Sequence, residues 1–385
     1  FNGIAMGGGV VISRYFGAKD EENIVKSIHN NFLFSLIASV VATVMGLVLV
    51  PQMLRWMKTP DSVLPESLAY FRVYFGGVST IILYNSCMGI LRALGDSLHP
   101  LYYLVLSSFV NVGLDLLFVA VFHWGVTGAA VATVIAQGVS VVLCLAQMLR
   151  MADPVQRLDF RKLKWDGRIM GQILRQGLPS GIQNSVISIA NVVVQSNINA
   201  FGAAAMAGCG SYSKLEGFAF IPVNAFGSAC TTFISQNIGA RKFERVKQGA
   251  KFSVMFSCGC AAIIGVVFFA FAPQFIGLFG KSADAIASGV LRARICTPFY
   301  LLLACSHGIA AVCRGAGYSK VPMYIMLGAW CVLRVTYITI VTNLFHNISL
   351  VYAAYPMTWA VSTACFLWYY NKSHWLERVQ AKYGA

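Results

Sequence analysis

The sequence predicts an all-α, polytopic membrane protein made of two parallel, pseudo-symmetric six-helix bundles. Long spans without charge, alternating basic and neutral connections, and an internal repeat each lead to that class. Only 11% of the 385 residues are charged and 57% are hydrophobic, whereas a soluble domain is about a quarter charged. No Asp, Glu, Lys or Arg falls between Lys26 and Arg55, or between Lys251 and Lys281. Each of these spans exceeds the roughly 20 residues needed to cross a bilayer. A backbone in hydrocarbon must satisfy its own hydrogen bonds, so the spans should be helices.

In a soluble protein the net charge of +15 would point to nucleic acid. Here the basic residues cluster at Arg14/Lys19/Lys26, Arg150 to Arg175, Arg241 to Lys251 and Lys372 to Lys382. These clusters alternate with nearly neutral connections such as HWGVTG and HNIS. That is the positive-inside pattern, which places the basic loops in the cytoplasm. The pattern therefore points to the lipid bilayer as a partner and away from nucleic acid; small-molecule partners and a monomeric state are expected alongside. The 11 cysteines include no CxxC pair, so they read as small membrane-core residues, not as metal ligands or a disulfide framework.

Apolar runs and breakers place helices near 1–16, 28–56, 66–94, 101–122 and 126–149 in a first lobe covering 1–150. A basic connection at 151–175 carries apolar residues at helical spacing and should lie along the cytoplasmic membrane surface. A second lobe, 176–371, holds helices near 176–201, 210–238, 248–279, 285–313, 322–344 and 348–370. Residues 372–385 form a cytoplasmic tail.

The repeat organises these elements. A shift of 222 residues brings ISRYFGAK, from Ile12, onto ISQNIGAR, from Ile234. The same register puts Pro51 on Pro273, Arg72 on Arg294, and RALGDSLHPLY (from Arg92) on RGAGYSKVPMY (from Arg314). Equivalent basic turns should face the same side, so the lobes are parallel repeats. Pro100 and Pro322 then fall in the first turn of a helix, where proline costs least. Pro179 would pair with a position ahead of Phe1. The expected parent has twelve helices, with the first and part of the second missing from this chain.

Asp115, in NVGLD, is the one acidic residue deep in a predicted span. An intramembrane carboxylate by default marks an ion or substrate path. Asn111 lies four residues earlier on the same helical face, and Thr133 on the next helix could add a hydroxyl. Carboxylate and amide oxygens suit a hard cation such as Na+, or a shared proton. The bland alternative is an interhelical hydrogen-bond cluster. Under the shift their partners are Tyr337, Leu333 and Tyr355, so this trio belongs to the first lobe alone. Arg334 has four open readings: lining the central cavity, pairing with Glu216, snorkelling, or contacting helix carbonyls. Lys214 and Glu216 read as near the outer interface, Arg72, Arg292 and Arg294 as anchors, and His307 as a satisfied core histidine. GGGV at Gly7 reads as close helix packing. No nucleotide, zinc-protease or pyrophosphate motif is present, so the chain is not expected to be an enzyme.

ISQNIGAR after a proline-bearing helix, the RALGDSLHP/RGAGYSKVP pair and the NVGLD helix together resemble the multidrug and toxic compound extrusion (MATE) family, in its bacterial DinF-like and NorM-like branch. The resemblance runs from Asn2 to about Asn371. It implies an inner-membrane antiporter that exports amphipathic, mostly cationic compounds against H+ or Na+, with no other cofactor. It also implies an ion site to which Asn111, Asp115 and Thr133 contribute, with an Asp on the first helix. Tyr70 and Asn85 match residues of the family's fourth helix. The acidic residues of the NorM branch's seventh and tenth helices have no counterpart here, which favours coupling through Asp115. The nearest rival is a lipid-linked oligosaccharide flippase, which should carry more cavity cations than Arg334 alone; a membrane-embedded lipid-handling enzyme is a rival of another class.

Overall fold

The computed structural model describes residues 2–56, 64–280, 282–345 and 347–383. Phe1, Lys281, His346 and the last two tail residues, all used above, lie outside the described residues. Among the described residues every regular element is a helix, and none is a strand. Among the described residues nine helices are long and apolar enough to cross a membrane. The chain divides into two units, Phe1–Gly177 and Leu178–Ala385.

The first unit contains α1 (Asn2–Ala18), α2 (Glu21–Trp56), α3 (Leu64–Gly76), α4 (Val78–Ala93), α5 (Leu98–Asp115) and α6 (Gly125–Leu149). It ends in the opening turns of α7 (Gly167–Asn199). Its core joins Ile12, Ile24, Ile28, Ile90 and Leu91 with Cys144 and Met148. Gly7 sits against the Gly177 backbone, where an added Cβ would fall 2.6 Å from the Gly177 Cα. The close-packing role read from GGGV is therefore realised.

The 66–94 span is two helices, broken at Gly77, where a Cβ would overlap the Val134 side chain of α6. The break lets α6 approach closely. The 151–175 connection is not helical from its start. It turns through 151–166 with one short 3-10 turn at Phe160–Lys162, and helix resumes at Gly167. Polar side chains of α2 hold it. The Asp159 N–H donates to His29 Nε2 at 3.0 Å, and the Asp166 N–H to Asn30 Oδ1 at 2.9 Å. Asp166 in turn caps α7, its Oδ1 accepting from the Arg168 and Ile169 N–H groups at 2.9 and 3.1 Å. Those bonds, with Ile169 the larger influence, hold its carboxyl below the usual carboxylate range.

The second unit takes the rest of α7, then α8 (Ala203–Gly239), α9 (Phe243–Ala270) and α10 (Ala272–Gly277). It continues with α11 (Ala283–Cys296), α12 (Tyr300–Gly315), α13 (Lys320–Met326), α14 (Arg334–Phe345), α15 (Ile348–Lys372) and α16 (Trp375–Tyr383). The expected 248–279 helix breaks at Phe271, just ahead of Pro273. The expected 285–313 helix passes through a 3-10 turn at Thr297–Phe299, where Pro298 offers no N–H to an α-helical ladder. The tail carries α16, whose Trp375 and Val379 are buried with Val246 and Ala311.

The repeat survives as geometry. Ser13 Oγ donates to the Ala93 carbonyl at 3.5 Å, and Ser235 Oγ to the Gly315 carbonyl at 2.9 Å. Lys19 and Arg241, non-glycine residues in equivalent turns, have φ of 55° and 56°. Gly95 and Gly317 have φ of 93° and 87°. In both copies the N–H two residues after Ala18 or Ala240 closes the turn, Asp20 to Tyr15 O and Lys242 to Asn237 O. Pro100 and Pro322 are each the third residue of a helix, where an N–H has no intrahelical acceptor.

Candidate functional site

In the first unit the candidate residues lie on α3 to α6. The carboxylate of Asp96 accepts the His99 N–H at 3.2 Å as α5 begins. The helix then runs α-helically to Asp115 and continues as a π-helical turn, Leu116–Val121. A π-helical insertion widens the backbone and frequently accompanies a functional site. Asn111 and Asp115 share a face one turn apart. Asn111 Nδ2 and Asp115 Oδ1 are both buried, and neither has a hydrogen-bond partner among the described residues. A buried polar atom without a partner loses its hydration for nothing in return, so each such atom requires a physical reason.

The other first-unit candidates are not bonded into this pair. Thr133 Oγ1 donates to the Ala129 carbonyl of its own helix at 2.9 Å. Asn85 Nδ2 donates to Ile81 O at 2.8 Å, and its side chain borders a small cavity with Ile4, Phe34, Ser35 and Ile82. Tyr70 stacks on Tyr74 with ring centres 6.1 Å apart. Sequence reasoning missed Gln137. It follows Thr133 by one turn on α6, and its buried Oε1 also lacks a partner. The available signal was an amide four residues from Thr133 on the same helix.

The second unit holds a cluster that the sequence reading did not assemble. Arg292 of α11 was read as an anchor, yet it is 2% exposed. Of the two arginines in RAR, Arg294 is exposed while Arg292 faces inward onto aromatic rings. Its guanidinium lies 4.6 Å from the Tyr212 ring centre and 4.5 Å from that of Tyr355. Glu216 was placed near the outer interface and as a partner for Arg334. Its side chain is instead mostly buried, and its ion-pair partner is Arg292, at 3.9 Å. Lys214, two residues away, does face outward, near the Phe279 ring.

Arg334 follows a second π-helical turn, Leu327–Leu333. It is 2% exposed. Its Nε and Nη2 donate to Thr358 Oγ1 at 3.1 and 2.6 Å, and its guanidinium lies 4.6 Å from the Tyr355 ring centre and 4.9 Å from Trp330. Trp330 also contacts the His307 ring, whose Nδ1 is buried without a partner. The expectation of a satisfied histidine is thus met by its packing and not by its hydrogen bonds. Tyr212 and Tyr300 join their hydroxyls at 2.9 Å beneath this layer.

Chemically the two units offer different things. The first presents a carboxylate and two amides with free bonding capacity, suited to a proton or a hard cation. The second presents two guanidiniums on a bed of aromatic rings. Among the described residues no group of three or more metal-ligating side chains occurs.

Comparison with known proteins places these features in a family. The MatE family model matches residues 1–117 and 179–349. A probable multidrug resistance protein of Bacillus subtilis, YoeA, is 27% identical over 96% of this chain and 81% of its own length. Among solved structures, an outward-facing multidrug resistance MATE family transporter of the MOP superfamily superposes with TM-score 0.91 at 23% identity, covering 98% of this chain and 85% of that one. A MOP superfamily transporter from Pyrococcus furiosus also gives TM-score 0.91 at 23% identity, over 99% of this chain and 84% of that one. It is described as having a binding pocket of reverse polarity that suggests a different function.

Proposed function

This chain belongs to the MatE family of multidrug-type membrane transporters, and from that membership we propose that it is a cation-coupled antiporter. It exports amphipathic, mostly cationic compounds from a bacterial cytoplasm across the inner membrane, driven by inward H+ or Na+. Asp115 is the coupling group. The observation that carries this reading is its buried, unpartnered Oδ1 beside the unpartnered amide of Asn111, at the edge of a π-helical turn. Asn111 and Thr133 supply further oxygens for Na+, while Tyr70, Asn85 and Gln137 supply polar lining. An ion moves a two-state transporter only if it binds one state better than the other. A carboxylate that is bare in one state and neutralised in the other has that property, through altered packing of the first-unit helices.

The test uses the full chain in proteoliposomes under an imposed pH gradient or an imposed Na+ gradient. Asp115→Asn is expected to reduce ion-driven export of a cationic dye more than tenfold under the gradient that drives the wild type. Unchanged export under both gradients overturns the assignment. A second reading, a flippase for an anionic lipid-linked cargo, gains from one observation: the second unit buries two arginines where the sequence offered only Arg334 as a cavity cation. Flipping of a labelled anionic lipid, with no dye export, would select that reading.

A further inference from the structure

The second unit buries two guanidiniums and one carboxylate in a single cluster, and this imbalance is a problem in membrane energetics. An intramembrane charge is tolerated when it is paired, and expensive when it is not. Glu216 Oε2 stands 3.9 Å from Arg292 Nη2, well beyond the 2.7–2.9 Å of a charge-assisted hydrogen bond. Arg292 Nε is buried with no acceptor, and its Nη1 is directed at the Cys209 sulfur, a poor acceptor. Among the described residues Arg334 donates only to the neutral Thr358 hydroxyl. Among the described residues no carboxylate lies within ion-pair distance of Arg334. Both guanidiniums rest on the one ring of Tyr355, 4.5 and 4.6 Å from its centre, so they belong to one locus.

The repeat shows that this is a counterpart of the first-unit locus with its sign reversed. Under the 222-residue shift Tyr70 corresponds to Arg292, Asn85 to His307 and Thr133 to Tyr355. Arg334 falls on Val112, between Asn111 and Asp115.

We infer that Arg292 and Arg334 hold the anionic head, a carboxylate or phosphate, of an amphipathic organic acid whose apolar body lies against Tyr355 and Trp330. Guanidiniums are suited to this because their planar forks bind carboxylate and phosphate bidentately and stack on aromatic faces. The inference names a ligand of this cluster and does not rest on the exporter reading, whose cargo is mostly cationic. Binding to this cluster stands or falls without transport, and the Asp115 experiment stands or falls without this cluster.

The test is calorimetric titration of the full chain in phosphatidylcholine nanodiscs at neutral pH, with ligands that share one ring and differ in head group. 1-Naphthoate and 1-naphthyl phosphate are expected to bind at least tenfold more tightly than 1-naphthol or 1-naphthylmethylammonium. Arg334→Gln is expected to remove that preference. Lys214→Gln, which removes an exposed cation of the same unit, is expected to leave it intact. Equal affinity for all four ligands in the wild type overturns the inference whether or not the variant folds, as does a folded Arg334→Gln that keeps the preference. Repeating the titration in discs rich in phosphatidylglycerol separates the two sources of the anion. Competition by the lipid identifies a headgroup as a ligand of the guanidiniums, and unchanged affinity identifies a dissolved acid.

Discussion

In the first unit a carboxylate, Asp115, immediately precedes a π-helical turn; in the second a guanidinium, Arg334, immediately follows one. The surrounding turns are duplicated closely, down to the serine bonds and the left-handed residues. The polar loci have nevertheless diverged to opposite charge. The helical frame is set by packing and backbone hydrogen bonds, which a duplicated sequence inherits as a whole. The charge of a locus rests on one or two side chains and can change without disturbing that frame.

Neutralising each charged locus tests this contrast most strongly. Glu216→Gln leaves Arg292 and Arg334 without a buried anion among the described residues and is expected to destabilise the second unit by about 3–5 kcal/mol. Asp115→Asn removes a carboxylate that has no cationic partner among the described residues, so the stability of the first unit should change by no more than about 1 kcal/mol. Thermal denaturation in detergent, followed with a probe in each unit, measures both. Comparable losses in the two variants would mean that Asp115 is paired after all, and that the loci differ less than their charges imply.

The glycines extend the comparison to packing. Gly208 of α8 meets α11 so closely that a Cβ would fall 2.5 Å from the Ala285 carbonyl oxygen. Gly208→Ala should therefore force the two helices apart at a cost of about 1–3 kcal/mol. Gly113, between Asn111 and Asp115, has nothing within 4 Å of that position. Gly113→Ala should instead gain about 0.5–1 kcal/mol from helix propensity. The same denaturation assay reports both signs.

The paired serines discriminate more finely. Loss of the 2.9 Å bond in Ser235→Ala should cost about 0.5–1.5 kcal/mol, and Ser13→Ala less, because its bond is 3.5 Å long. The smallest effect belongs to Asp166. Its carboxyl is held below the usual range when folded, so the α7 cap is fully formed above the ordinary carboxylate pKa. The cap is lost only as pH falls through the lowered folded value. Amide exchange at Arg168 and Ile169 should speed up across that acid window, and Asp166→Ala should show the faster rate at neutral pH.

Most of the frame was legible in the sequence because bilayer thickness and the 222-residue register constrain it strongly. The charge-free run after Lys26 had to be one long helix, and Ile12 had to pack as Ile234 does. The breaks at Gly77 and Thr297 were less visible, since a glycine or a proline permits an interruption without requiring one. Arg292 was misread because a position near a helix end does not say which face meets a neighbour. Arg292 and Arg294 differ only by the two-residue step that turns one inward and the other outward. A clue was present in the register: Arg294 repeats Arg72, another exposed arginine, whereas Arg292 repeats Tyr70, already a candidate lining residue. Thr133 and Asn85 satisfy their own helices, a choice of rotamer that spacing cannot reveal.

Lys19 and Arg241 have a consequence of their own for how the chain enters the membrane. Each occupies a left-handed backbone conformation that costs an ordinary residue about 1 kcal/mol and glycine almost nothing. Glycine would fold there more comfortably in both copies, yet both carry a cation. The positive-inside principle favours keeping a cation-bearing loop on the cytoplasmic side during insertion, the side expected from the sequence for both turns. A small strain in the finished fold is thus tied to correct threading of the nascent chain. Replacing Lys19 with glycine should yield a slightly more stable protein that is inserted the wrong way round more often.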